Sequence, residues 1–369
     1  MSDTILLTGG TGFLGMEQIA HWLEAEEGSE IRVAVRAGDA EEAGGRLTRL
    51  LASLYDDPPA SARRLRAVCA DLESPGLGLS DSDRRAIVAD VDRVVHCAAS
   101  VEFALPLEEA RAINLEGTRG VLELAREIEG LERLVHVSTA YVCGEVSGHF
   151  TEDQEATGEG FRNTYEQTKW EAERVVAEAG LPSVIVRPSI VVGESDSGWT
   201  SSFNVIYWPL QAFARGLFEE VPANPDGLID MVPVDHVAAV IDRATFDRDA
   251  DGTYHAVAGE RALSVAEVIE RTTRALDRPA PRFTEPDALA SDHPAAAYAA
   301  YFDVRVRFGD ERARGLVGDA GRAVDPGDHL PKLLGYAVKV GWGKRPLSRQ
   351  RARADAADEP AELALRQQA

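Results

Sequence analysis

Tyr165 and Lys169, in Tyr165-Glu166-Gln167-Thr168-Lys169, form a pair able to move a proton. In a helix, a spacing of four stacks both side chains on one face. A phenol titrates near ~10 and exchanges protons poorly at neutral pH. An ammonium within about 4–6 Å lowers that by roughly 1–3 units, which would bring Tyr165 toward a useful range. Lys169 can also hold the ribose of a bound nucleotide. Upstream, a strand-like run ends in Val137-Ser138-Thr139-Ala140-Tyr141. A hydroxyl there would face the phenol, and by residue type either Ser138 or Thr139 could serve.

A second constellation sits at the start of the chain. Thr8-Gly9-Gly10-Thr11-Gly12-Phe13-Leu14-Gly15 places Gly9, Gly12 and Gly15 at three-residue intervals after an apolar run. Gly9 permits a tight turn, Gly12 lets backbone approach a pyrophosphate, and Gly15 lets a helix pack against the sheet. The N–H groups of Thr11, Phe13 and Leu14 at the helix start then face the phosphates of a dinucleotide, with the helix dipole behind them. The second apolar run, IRVAV, ends in Arg36, with Arg46 in the next helix. A guanidinium at that position can fork onto a ribose 2′-phosphate. One such bond to a charged group is worth roughly a 10- to 100-fold preference for NADPH. Asp39 is close enough to leave NAD open. Asp71-Leu72 follows the third run, and its carboxylate is placed to accept from an adenine amino group. His96-Cys97-Ala98-Ala99 closes the fourth; Ala98 and Ala99 are small enough to let the chain pass beside the cofactor, and His96 reads as structural.

These residues need strands that end at one edge. Candidate strands are 4–7, 31–35, 66–70, 93–96, 134–138 and 183–187, separated by helix-like stretches 16–25, 83–89, 115–128 and 166–179. That alternation predicts right-handed βαβ units and an α/β, Rossmann-type doubly wound parallel sheet. After Gly193 the rhythm breaks. A strand-like 253–257 returns to the sheet, and a helix from Ser264 carries Glu267 at the capping-box spacing. The expected division is a dinucleotide-binding domain of 1–193 plus about 233–257, with a substrate lobe of 194–232 plus about 258–335 interleaved. A charged tail, about 343–369, contains Lys344, Arg345, Arg349, Arg351 and Arg353 and reads as loosely attached.

Taken together, these motifs resemble the extended short-chain dehydrogenase/reductases over about residues 3–260. Counting back from Gly144, the resemblance puts the catalytic hydroxyl on Thr139, 26 residues before Tyr165. It makes Asn114, in Ile113-Asn114-Leu115-Glu116-Gly117-Thr118, a supporting site residue, and sets Arg187-Pro188-Ser189 beside the nicotinamide. The segments SIVVGESDSGWT and Ile229-Asp230-Met231-Val232-Pro233-Val234-Asp235-His236-Val237 look like the fatty acyl-CoA reductase and thioester reductase branch. That branch implies NADPH-dependent reduction of an acyl thioester, on coenzyme A or a carrier protein, to an aldehyde and sometimes the alcohol. Trp199, Phe203, Ile206, Tyr207, Trp208, Leu210, Phe213 and Leu217 would then line an acyl tunnel or form the lobe's core, and part of the set could touch a membrane surface. A sugar-nucleotide epimerase or 3β-hydroxysteroid dehydrogenase shares the same core motifs. So does a non-catalytic NADP-sensing regulator, although such proteins usually lack the Tyr or the Lys. A 4,6-dehydratase would carry Asp-Glu where this chain has Ala140-Tyr141.

Composition narrows the partners. Against 39 lysines and arginines stand 62 aspartates and glutamates, a formal net charge of −23 over 369 residues, which argues against nucleic acid. Three cysteines without close pairing make neither a disulfide framework nor a zinc site. The chain enters a strand at once, without a signal-peptide pattern, and no apolar run nears the roughly 18 residues of a membrane span. The expectation is a cytoplasmic protein without a transmembrane segment.

Overall fold

Alternating strands and helices build one central sheet in the computed structural model, which describes residues 3–25, 28–203, 206–217, 219–285, 300–318 and 323–358. Its strands are β1 (Thr4–Thr8), β2 (Glu30–Val35), β3 (Leu65–Cys69), β4 (Arg93–His96), β5 (Arg133–Val137), β6 (Ser183–Pro188) and β7 (Thr253–Ala256). All pair in parallel, in the order β7-β6-β5-β4-β1-β2-β3. β1 is buried along its whole length, because a parallel strand is covered on both faces. Successive side chains feed opposite layers: Ile5 and Leu7 join one core, Leu6 the other. The strand order reverses between β1 and β4, and the crevice beyond the carboxyl ends of those two strands is where such sheets take a ligand.

Between β6 and β7 the chain leaves the sheet to build a smaller lobe. Ile190–Val192 pairs with Met231–Pro233, and Leu228–Ile229 with Leu263–Ser264. Ser147–Phe150 accepts the late strand Arg305–Phe308 in parallel. Val192, Tyr207, Leu210, Met231, Val268 and Leu333 share the lobe's core. The helix Val265–Leu276 is held by the expected reciprocal cap, Ser264 and Glu267 each bonding the other's backbone. The helix Pro326–Lys339 adds Leu330, Leu334 and Ala337 to that core.

Of the two readings of the aromatic-rich run, the lobe's core holds Ile206, Tyr207 and Leu210, and Phe213 is also buried. Trp199 is 1% exposed in the main core, where its indole N–H donates to the Leu347 carbonyl at 3.1 Å, while Leu217 is 66% exposed. The tail differs from its expectation. Arg349–Asp358 is a helix docked on the main domain. Arg349 is buried and makes a bidentate bond to Glu17 at 2.7 and 2.6 Å, with a further bond to Glu24. Arg353 bonds Glu194 at 3.0 Å, and Ser348 bonds Asp56 at 2.6 Å. Charge clustering looks like a solvated tail only while the opposing carboxylates, more than 150 residues away, are out of view. Residues 359–369 of the expected tail lie outside the described residues.

Candidate active site

The glycine turn closes on backbone. Gly9 has φ +74°, and a Cβ there would lie 2.6 Å from the Ala98 nitrogen. A Cβ on Gly15 would lie 2.2 Å from the Gly9 carbonyl oxygen, so the helix packs on the turn itself and not only on the sheet. At Gly10, which the spacing does not single out, a Cβ would lie 2.5 Å from Val33 Cγ1. Gly12 is less constrained by protein: its Cβ would meet only the Gly9 oxygen, at 3.2 Å. It caps the helix Phe13–Glu24 with no side-chain cap bond and no acidic residue in the first turn. Thr11 and Gly12 are exposed and Phe13 and Leu14 partly so. Uncapped, uncontested N–H groups at an accessible helix start fit a pyrophosphate. Thr8 ties this turn to β4: its hydroxyl bonds His96 Nδ1 at 2.7 Å and accepts from the Ala98 N–H at 3.3 Å. Ala99, next in the chain, is partly buried beside it.

On the adenine side Arg36 is largely exposed, with a long 3.4 Å contact to Glu73. Asp39 is committed to capping the helix Ala40–Leu54, accepting from the Glu42 N–H at 2.8 Å. Arg46 bonds Glu42 at 2.9 Å one turn along. Asp71 accepts from the Glu73 N–H at 3.2 Å and the Ser74 hydroxyl at 3.0 Å, so its carboxylate first of all shapes its own turn. Leu72 packs against Gly117, where a Cβ would sit 3.1 Å away.

Tyr165 and Lys169 open the helix Thr164–Ala177. Asn163 caps it, accepting from the Glu166 N–H at 3.0 Å and donating to the Tyr301 hydroxyl at 2.9 Å. Tyr301 in turn donates to Glu166 at 2.8 Å. Phe103 stands between Tyr165 and Tyr301, its ring centroid 6.0 and 5.2 Å from theirs. Lys169 is 1% exposed, and its Nζ lies 3.3 Å from His136 Nε2. Burial pulls its amine down to about 8, with the Glu173 carboxylate opposing. The Tyr165 phenol moves contrary to the expectation from spacing. Burial pushes it above its ordinary value, the Glu166 carboxylate adds to this, and hydrogen bonding with Thr139 pulls it back. Desolvation outweighs any pull from the ammonium, and the phenol keeps its proton at neutral pH.

Thr139, not Ser138, is the hydroxyl that meets Tyr165. Its Oγ1 also donates to the Pro188 carbonyl at 3.4 Å and accepts from the Tyr141 N–H at 3.3 Å. Ser138 Oγ is buried with no partner among the described residues. Asn114 lies in a π-helical turn, Ala112–Glu116. Its amide bonds Ser100 N–H at 2.8 Å, Ser100 carbonyl at 3.1 Å and Thr168 Oγ1 at 3.0 Å, which locks the Tyr/Lys helix to the end of β4. In the segment 187–189 the polar side chains have protein partners. Arg187 is buried in a bidentate pair with Glu173 at 2.9 and 2.7 Å, and Ser189 donates to Asp230 at 2.5 Å. A charge in this dry layer needs a protein partner, and Glu173 supplies it. The three cysteines are free. No metal-binding cluster occurs among the described residues, and none of their helices is long and apolar enough to cross a membrane.

A parallel sheet with a glycine turn at its switch point, and a Thr/Tyr/Lys set beside it, defines an oxidoreductase of the extended short-chain dehydrogenase/reductase class. Residues 7–241 match the male sterility protein family, and the chain belongs to it. It is 31% identical over 270 residues to the fatty acyl-CoA reductase wat of Drosophila melanogaster, and 32% over 269 residues to fatty acyl-CoA reductase 1 of Mus musculus. Each alignment covers 63% of this chain and 52% of the relative, so the match spans about half the length of these proteins. Among solved structures, the terminal R domain of the myxalamid PKS-NRPS biosynthetic pathway superposes with a TM-score of 0.79 at 28% identity, covering 94% of this chain and 93% of that one. A UDP-glucuronic acid 4-epimerase from Bacillus cereus, in complex with NAD, reaches 0.67 at 18% identity over 91% of this chain and 99% of that one, a likeness of fold.

Proposed function

We propose that this chain uses NADPH to reduce an acyl thioester, carried on coenzyme A or an acyl carrier protein, to the aldehyde. The observation that carries the reading is the pairing of Thr139 with a phenol held in its protonated state beside the glycine turn. The names of the relatives, fatty acyl-CoA reductases and a terminal R domain, support the substrate class. The exposed Arg36, with Asp39 occupied as a helix cap, supports the phosphorylated cofactor.

The cofactor supplies hydride to the carbonyl carbon. Thr139 and Tyr165 donate hydrogen bonds to the oxygen as it gains charge, a role worth about 10²–10³ in rate per donor. A raised phenol suits this work, since the group must arrive carrying its proton. The resulting hemithioacetal oxyanion would collapse and expel thiolate, which takes a proton from solvent, so one thioester, one hydride and one proton yield aldehyde and thiol. Lys169, whose Nζ meets His136 at 3.3 Å, would offer its remaining N–H groups to the ribose. Release at the aldehyde or a second reduction to alcohol would depend on how long the product stays.

The test is a panel of NADPH with a long-chain acyl-CoA, an acyl carrier protein thioester, a UDP-sugar and a 3-ketosteroid, followed at the nicotinamide band with product analysis. We expect oxidation with thioester alone. Tyr165→Phe should lose about 100-fold or more in kcat with NADPH binding retained. Turnover confined to the sugar or the steroid, or an unimpaired Tyr165→Phe, would overturn the proposal. NADPH binding without any turnover would favour a regulatory protein.

A further inference from the structure

His136, on β5 two residues before Ser138, is completely buried. Its ring nitrogens have different surroundings. Nε2 faces Lys169 Nζ at 3.3 Å, while Nδ1 has no partner among the described residues. Across the sheet, in register, stands His96, its ring centroid 5.3 Å away. Both His96 nitrogens are spoken for, by Thr8 at 2.7 Å and Thr118 at 3.0 Å. A cation beside Nε2 and no carboxylate bonded to either nitrogen leave no support for an imidazolium. A neutral ring facing an ammonium through Nε2 must present a lone pair there and carry its proton on Nδ1.

We propose that His136 is a positioning residue for the reduction, its Nε2 accepting a hydrogen bond from the Lys169 ammonium and so holding that amine charged and aligned. The role in turnover rests on the reading given under Proposed function; the hydrogen bond itself does not. The groups facing Lys169 show why an acceptor matters. Glu173 on its own helix and His96 and Cys97 at the end of β4 act on its charge, His136 on β5 meets its Nζ, and Arg187 on β6 already takes both oxygens of Glu173 at 2.9 and 2.7 Å. Burial works against the charged amine, and the nearest carboxylate is shared. A lone pair from β5 restores what the site withholds.

Removing it destabilises the ammonium, so the pH at which Lys169 loses its proton falls. Activity that needs the charged amine should then disappear at lower pH. In His136→Leu the alkaline limb of the kcat profile should move down by about one to two pH units, the size of one hydrogen bond to a charged group. At pH 8, kcat should drop about tenfold while the thioester KM holds within about twofold. His136→Gln, which offers a carbonyl oxygen in place of Nε2, should return the limb toward its original position. An unmoved limb in the Leu variant, or a Gln variant as impaired as Leu, would overturn the proposal. Should His136→Leu fail to fold, nitrogen-15 NMR of the wild-type histidines decides. The proposal requires His136 as the Nδ1–H tautomer, not titrating between pH 6 and 8. An Nε2–H tautomer or an imidazolium would sink it. Because that measurement uses no substrate, a correct tautomer without thioester turnover counts against the proposed function and not against the hydrogen bond.

Discussion

Arg36 stands in a setting that leaves it available. Its contact with Glu73 is long and exposed, the kind of ion pair worth little. Asp39, the carboxylate that could instead serve an unphosphorylated ribose, caps a helix. Arg36→Ala should therefore raise the KM for NADPH by roughly 10- to 100-fold and that for NADH by no more than about threefold. Steady-state kinetics with both cofactors checks this, and equal effects would remove the 2′-phosphate contact. At this scale the Tyr165/Lys169 pair could be proposed from spacing and residue type, whereas type left Ser138 and Thr139 open and only the family resemblance favoured Thr139. The direction of the Tyr165 shift could not. It is set by how dry the pocket is and by Glu166, and burial is not written in a four-residue spacing. His136 escaped for a related reason. Its meaning depends on Lys169, 33 residues away, arriving at the same layer from another element.

Among elements, the glycine turn separates two needs that look alike in sequence. Gly9 and Gly15 are required by backbone: a methyl at either would strike main-chain atoms at 2.6 and 2.2 Å. Gly12 is less constrained by backbone, a Cβ there meeting only the Gly9 oxygen at 3.2 Å, and the proposed role for it is the approach of a pyrophosphate. Gly12→Ala should fold with a thermal midpoint near wild type but lose at least about tenfold in NADPH affinity, whereas Gly15→Ala should be destabilised by about 1–3 kcal/mol or more. Fluorescence titration and thermal unfolding of the two variants make the comparison. A Gly12→Ala protein that binds normally would place the phosphates elsewhere. The parallel sheet, the return of β7 and the Ser264 cap were legible because alternation and capping are local signals, whereas the order of the strands across the sheet came only with the structure. The helix starting at Arg349 was not, since its apolar contribution is small: Ala352 is its buried hydrophobic residue.

For the molecule as a whole, that last helix joins parts that the linear order separates. Arg349 neutralises Glu17 of the glycine-turn helix, and Arg353 reaches Glu194 at the entrance to the small lobe. Arg349→Met would leave Glu17, 1% exposed, as an uncompensated buried carboxylate. Breaking a buried pair in this way costs about 3–5 kcal/mol. Urea unfolding should show that loss, with a partial return in the double variant Glu17→Gln/Arg349→Met. A loss under about 1 kcal/mol would mean the helix is an appendage.

Glu17 and Arg349 are 332 positions apart. At about 5–20 residues per second of synthesis, roughly 17–66 s pass between the making of the acid and the making of its base. Through that interval the helix meant to receive phosphate carries a stray negative charge that water must cover. A ribosome-bound chain halted before residue 349 would thus hold its nucleotide poorly, and the phosphate pocket would ripen only once a helix made 332 residues after Glu17 had docked.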